Sequence, residues 1–473
     1  MAENVKAVKP FGWADRIGYA MGDFGNDFTF MLSSGFMMKF YTDIMGVNPW
    51  TVGSLMMGAR FVDAFTDVTM GQIVDHSTPT KHGKFKPWIR RCCGPLGIAA
   101  FLIFQSGFAD MPMTFKVAWM FFTYLLWGSI FYTSVNIPYG SMASAITAEP
   151  AERAQLSTFR TIGATCAALV IHGLTPLLAY EVVNGATVLS GPKMTVMAGI
   201  FAVCGIICHM LCFTLVTERV QVPKSNRKID VGQIIKSIFT NRALLGIIIA
   251  AIMLLIGLLG MSGMLPYTLP VYYQSKEVQA FIGSFSNLIA MIVCAPIAAH
   301  LAAKFGKKEL SVTSCAISVA IWIACYFVRP NVAIVFAVFY IVSYVFLNFF
   351  QYVIWAMITD VIDDAEVING YREDGAIYSV YSFARKLGQA ASVGMIGKMM
   401  SSIGYSGAVA SNPSQYPEVL ESIFNITCII PIIGLGGVVL ALLFIYPLNK
   451  KRVDSNVVEL KRRRSEAAKP NVQ

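Results

Sequence analysis

Residues Gly53 to Asp75 read GSLMMGARFVDAFTDVTMGQIVD, a run apolar enough to cross a bilayer that nevertheless carries Arg60, Asp63 and Asp67 inside it. An ionisable side chain at membrane depth costs roughly 2.5 to 3.5 kcal/mol on insertion scales, so three on one span mark a working surface. At helical spacing they stand at i, i+3 and i+7 on one face, where Arg60 offsets part of the burial cost of Asp63. Two carboxylates at i, i+4 repel each other unless a proton, a metal ion or a positive side chain lies between them. The pair therefore reads as a seat for a cation.

The rest of the chain has the same character. Its 473 residues are 56% hydrophobic and 14% charged, with a mean hydropathy of +0.60, too apolar and charge-poor for a soluble domain of this length. At about 20 apolar residues per crossing, candidate spans fall at 16–42, 47–75, 88–108, 114–144, 156–182, 192–217, 242–272, 277–304, 310–328, 331–360, 375–403 and 419–447. The expectation is an all-α polytopic membrane protein of twelve transmembrane helices. Residues 1–217 form one six-helix bundle, 218–241 a linker, 242–447 a second bundle and 448–473 a basic tail.

Basic residues set the orientation. Lys81 to Arg91, the linker, Lys304 to Lys308 and the cluster from Lys450 to Arg464 all lie on one side if the spans alternate, while the opposite loops hold almost no Lys or Arg. That side is cytoplasmic, with both termini inside a plasma (inner) membrane. The net charge of +10 is then a topology signal, and no nucleic-acid partner is expected. No charged-then-apolar leader opens the chain. The basic tail is expected to be disordered and drawn to lipid headgroups, and the acids from Asp360 to Asp374 to form a solvated loop.

Ten cysteines are scattered through apolar spans, three of them at Cys204, Cys208 and Cys212, where Cys acts as a small hydrophobe. No metal site, catalytic group or cofactor is expected. Glycines such as Gly18, Gly22 and Gly25 permit close helix packing. The basic Gly turns at His82 to Lys86 and Lys304 to Lys308 fall at corresponding corners of the two halves, as in a parallel repeat of the major facilitator architecture.

Several segments together resemble a known family. The run Ala59 to Asp67, then Gly71, Asp75 and Gly83-Lys84-Phe85-Lys86-Pro87-Trp88, looks like the signature of the glycoside-pentoside-hexuronide:cation symporters. Gly22-Asp23-Phe24-Gly25-Asn26-Asp27-Phe28, the run Tyr132 to Gly140, Asp360-Val361-Ile362-Asp363 and the run Tyr378 to Gly388 follow in the family's order. The resemblance implies a cation-coupled sugar carrier of the major facilitator fold, and not an enzyme.

It also implies roles. Asp63 and Asp67, with Thr66 between them and Thr133 on the fourth span, match the family's coupling-cation residues. Thr66 stands where an amide is found elsewhere, which leaves Na+ and H+ both open. Asp27, the neighbouring Asp23, Asn136, Arg160 and Lys386 match the sugar side, and Tyr132, Tyr139 and Tyr381 are each either an aromatic platform or helix packing. Asn136 replaces an acid, Gly140 replaces an indole, and Arg385 stands beside Lys386, so the pattern is closest to the glucuronide branch. An acidic sugar is slightly favoured over neutral glycosides or pentosides. Arg153, Asp363 and Arg372 resemble residues that close the inner side by ion pairs. Partners are a small sugar or glycoside, a monovalent cation and membrane lipid. Two other readings stand beside this one, a cation-coupled lysolipid symporter of the same fold and a non-transporting sugar sensor.

Overall fold

The computed structural model describes residues 10–220, 241–370 and 374–467. Among the described residues twelve long helices follow the expected spans: α1 (Trp13–Lys39), α2 (Pro49–His76), α3 (Lys86–Ile103), α4 (Met113–Ile146), α5 (Pro150–Ala179), α6 (Gly191–Leu215), α7 (Arg242–Tyr272), α8 (Lys276–Phe305), α9 (Lys307–Val328), α10 (Ala333–Asn369), α11 (Asp374–Ser402) and α12 (Pro417–Ile445). Eight of them are long and apolar enough to cross a membrane by composition alone. The other four, α1, α2, α3 and α11, are those interrupted by Asp, Lys and Arg. A two-stranded hairpin, β1 (Tyr180–Val183) with β2 (Ala186–Leu189), joins α5 to α6.

Two compact units divide the chain. The first holds the described residues up to 220 with 269–284 and 397–419; the second holds 241–268, 285–396 and the described residues from 420 onward.

In the first unit α1 is central, and small residues let its neighbours close on it. A Cβ on Gly22 would stand 2.3 Å from the Tyr139 ring, and one on Gly163 of α5 would stand 2.3 Å from the Ala20 carbonyl. Tyr139 is fully buried. Its ring stacks on Tyr19 at 4.7 Å and its hydroxyl donates to the Tyr19 carbonyl at 2.7 Å. Of the two readings open to Tyr139, the structure favours packing. At one end of α3, Glu218 accepts backbone N–H groups of Lys84, Phe85 and Lys86 at 2.7, 2.9 and 2.8 Å, which satisfies orphan donors at a helix start. At the far end of α1, Lys39 pairs with Asp43 at 2.7 Å, the side chains being 1% and 4% exposed. Tyr405 completes that cluster, its hydroxyl 2.9 Å from Asp43 Oδ1 and 3.1 Å from Lys39 Nζ.

The second unit overturns two expectations. The acids after span ten do not begin a solvated loop, because α10 runs on to Asn369 and buries Asp360 and Asp364. Lys307 donates to Asp360 at 2.6 Å. Asp364 accepts two hydrogen bonds from Arg452, at 3.0 and 3.2 Å, and one from Asn456 at 2.8 Å. Nor is the tail disordered over its described part. Lys450–Ala467 is a helix, α13, and the charge expected to seek lipid is partly spent on Asp364. Along α13, Arg462 and Arg463 hold the Glu459 carboxyl down at about 2, so this short ion cluster stays charged at any physiological pH.

The docking gives an expected result. Asp364→Ala removes the acceptor of three bonds and leaves Arg452 and Asn456 without it, so α13 should detach. Trypsin should then cut between Lys450 and Arg463 at least about tenfold faster than in the parent protein, the effect of losing on the order of 1.4 kcal/mol of local stability. An unchanged cleavage rate would show that other contacts hold the tail.

Candidate functional site

Asp63 lies within α2 and is 9% exposed. Its Oδ1 accepts the Ser129 hydroxyl at 2.5 Å, and its Oδ2 stands 3.6 Å from Arg60 Nη1. One turn on, Asp67 accepts the Thr133 hydroxyl at 2.8 Å. That hydroxyl also reaches the Gly128 carbonyl at 3.2 Å. Thr66 turns its own hydroxyl back to the Asp63 carbonyl at 3.2 Å. The structure thus brings Asp63, Asp67 and Thr133 together and adds Ser129, while the Thr66 hydroxyl is turned to the backbone.

Why Ser129 is there follows from the local backbone. Residues Leu125–Tyr132 of α4 are π-helical, a wider turn that recurs at functional sites. Gly128 stands directly against the acid, a Cβ there lying at an ordinary contact distance of 3.6 Å from Asp63 Oδ1. The result is a group of carboxylate and hydroxyl oxygens, the ligands a hard monovalent cation prefers. A cation entering would take the hydroxyl lone pairs, the hydroxyl protons turning away from the carboxylates. A proton could instead be shared by the acids.

The sugar-side residues of the first unit gather around α1. Asp23 Oδ1 accepts from Arg160 Nε at 3.0 Å, and the Arg160 guanidinium stands 5.4 Å from the Tyr139 ring. Asp27, one turn further, is half-buried. Phe30 follows at i+3 from it and stacks on Tyr132 at 5.5 Å, while Arg60 lies 5.5 Å over the same Phe30 ring. Phe30 and Arg60 therefore bring α1 against the helix of the acid pair, a contact with no signal in the sequence beyond Phe30 sharing a face with Asp27. Asn136 approaches the Asn26 amide at 3.5 Å, and Asn26 lies 3.1 Å from a ring nitrogen of the buried His209. Asn136 is thus tied into a polar chain between α1 and α6.

On the second unit, Tyr381 is fully buried and its ring meets Trp355 edge-on at 5.0 Å. Arg385 stands 5.4 Å from the Trp355 ring. Lys386 is its half-buried neighbour, about 100° away around the helix. Sequence reading missed Trp355, an aromatic on α10 that nothing distinguishes from lipid-facing aromatics. Among the gating candidates, Arg153 bonds the Thr147 carbonyl at 2.9 Å and Asp363 is half-buried on α10. Arg372 lies outside the described residues.

The family model described as MFS/sugar transport protein matches residues 18–450. The chain is 29% identical over 462 residues to the glucuronide carrier protein homolog of Escherichia coli, covering 96% of both chains. It is 29% identical over 444 residues to the isoprimeverose transporter of Lactiplantibacillus pentosus, covering 93% of this chain and 89% of the other. The crystal structure of a D-xylose-proton symporter shares the fold, with a TM-score of 0.61 at 13% identity over 92% of this chain and 98% of that one. The chain belongs to the MFS/sugar transport protein family, among the glycoside-pentoside-hexuronide:cation symporters.

Proposed function

We propose that this protein is a secondary active symporter that imports a glycoside, pentoside or hexuronide with Na+ or H+ by alternating access. The observation that carries the reading is the Asp63 and Asp67 pair, each bonded to a hydroxyl of α4, with Arg60 beside them packed over Phe30 of α1. Cation seat and hydroxyl-binding acids then share one scaffold, which coupling requires. Asp23, Asp27, Arg160, Tyr132, Asn136, Tyr381 and Lys386 are assigned to the sugar, whose hydroxyls donate to carboxylates and whose oxygens accept from Arg and Lys. Arg153, Asp363 and Arg372 are assigned to gating. The basic loops support a cytoplasmic position for both termini.

Uptake of labelled glycosides, a pentoside, a hexuronide and a lysolipid into energised vesicles, with and without a sodium gradient, tests this. Sugar accumulation that collapses when the driving gradient is removed is the expected result. Accumulation of the lysolipid alone would replace the reading with a lipid symporter, and sugar binding without movement would replace it with a sensor.

A further inference from the structure

Three guanidinium groups lie deep within the helices that carry the candidate site, and they are not alike. Arg60 has Asp63 beside it, and Arg160 is bonded to Asp23. Arg385 has no carboxylate within ion-pair reach among the described residues. Its one hydrogen-bonding contact there is the Tyr381 hydroxyl, 3.5 Å from Nη1. What surrounds it is aromatic: the guanidinium carbon stands 5.4 Å from the Trp355 ring and 6.0 Å from the Tyr381 ring, and Tyr378 stacks on Trp355 at 5.6 Å.

Depth makes this arrangement informative. Arg385 is roughly 16 Å of helix from the start of α11 at Asp374 and roughly 25 Å from its end at Ser402, at 1.5 Å per residue. A charged side chain at that depth faces the bundle interior or a water-filled cavity, and normally has a partner. Trp355 and Tyr378 are 42% and 52% exposed, so the cluster lies open on one side. The Trp355 and Tyr381 rings lie within cation–π reach of the guanidinium, and only its Nη1 has a hydrogen-bond partner among the described residues, which leaves other N–H donors to bind. A guanidinium is a planar fork of N–H donors matched to two oxygens of one anion.

We propose that Arg385 is the anion-reading residue of the transport site, held in place by Trp355 and Tyr381, and that the transported sugar carries a carboxylate or sulfonate. Arg385 contacts the anion; Trp355 is a positioning residue that keeps the fork presented. The inference rests on the sugar-symporter reading and narrows it to acidic glycosides. It also assigns the charge to Arg385 ahead of Lys386, the residue that the family resemblance singles out.

The test uses the full-length protein in proteoliposomes. Binding and uptake are measured for a hexuronide glycoside, a sulfonated hexoside and the matched neutral hexoside, in the parent protein and in Arg385→Gln, Arg385→Lys, Trp355→Phe and Trp355→Leu. In the parent, one or both acidic sugars should bind more tightly than the neutral one, and the preferred acid distinguishes carboxylate from sulfonate. Arg385→Gln should weaken the acidic sugar at least about tenfold, the worth of a hydrogen bond to a charged group, while the neutral sugar changes by less than about threefold. Arg385→Lys, which keeps the charge without the fork, should recover part of the loss. Trp355→Leu should weaken the acidic sugar selectively, and Trp355→Phe much less.

Neutral-sugar binding doubles as the check that each variant is folded, and if Arg385→Gln binds nothing, the Arg385→Lys and Trp355→Leu pair decides alone. Equal losses for acidic and neutral sugars, or no loss, would overturn the role of Arg385. A parent protein that carries neutral sugars only would overturn the proposal and leave the symporter reading intact. One that carries no sugar of either kind would overturn both.

Discussion

Asp63→Asn and Asp67→Asn should each abolish uphill accumulation of sugar while sparing a measurable part of sugar binding. Asparagine keeps the shape of the side chain and an oxygen for the Ser129 or Thr133 hydroxyl, so the helices stay packed, but the charge that attracts a cation is gone. The loss is large because coupling is all-or-none. One net charge moved down a potential of about 100 mV supplies about 2.3 kcal/mol, or roughly a 45-fold concentration ratio. Without the seat, sugar should only equilibrate. The measurement is steady-state accumulation against exchange of internal for external sugar: exchange should persist as accumulation vanishes. Full accumulation by either variant would show that the acids serve Arg60 and the fold alone. Ser129→Ala is the more discriminating companion, because it leaves both acids in place. It should raise the cation concentration needed for half-maximal uptake by about tenfold, the cost of one bond at a charged group.

The second large effect concerns stability. Lys39 and Asp43 form an ion pair that is almost completely buried, with Tyr405 bonded to both. Taking one charge away strands the other in a place without water, which typically costs roughly 3 to 5 kcal/mol. Lys39→Met or Asp43→Leu should therefore lower Tm in detergent sharply and reduce the yield of folded protein. The double substitution should be milder than either single one, since a well-packed apolar pair replaces a buried ion pair at little or no cost. Tyr405→Phe removes only hydrogen bonds and should cost about 1.5 to 3 kcal/mol. Thermal unfolding of the parent, the two single variants and the double variant forms a double-mutant cycle. Additive losses in the double variant would mean that the two charges are not coupled and that each is solvated separately.

The sequence is informative where the physics is local. Apolar runs of bilayer length are countable, and the twelve long helices fall where the runs predict them. The face shared by Arg60, Asp63 and Asp67 follows from helical periodicity alone. Glycines on α1 were legible as close-packing positions, and Gly22 does face Tyr139 without room for a Cβ. The family signature singles out Thr133 together with the acid pair, and the structure places its hydroxyl on Asp67.

What the linear chain could not show are partners set by the meeting of separate helices. Ser129 joins Asp63 across the π-helical stretch of α4, where the ordinary period no longer says which residues share a face. Arg385 and Lys386 are adjacent in sequence and equivalent in charge, and only the packing of Trp355 and Tyr381 puts one of them against aromatic faces. Asp364 reads as a solvated acid until α10 is seen to continue past the apolar run and the tail helix brings Arg452 and Asn456 to it. Hydropathy and spacing fix which segments are helical and which faces carry charge. Which charges are buried, paired or left open depends on neighbours distant in the chain, and the cost of burying a charge without a partner makes those neighbours decisive.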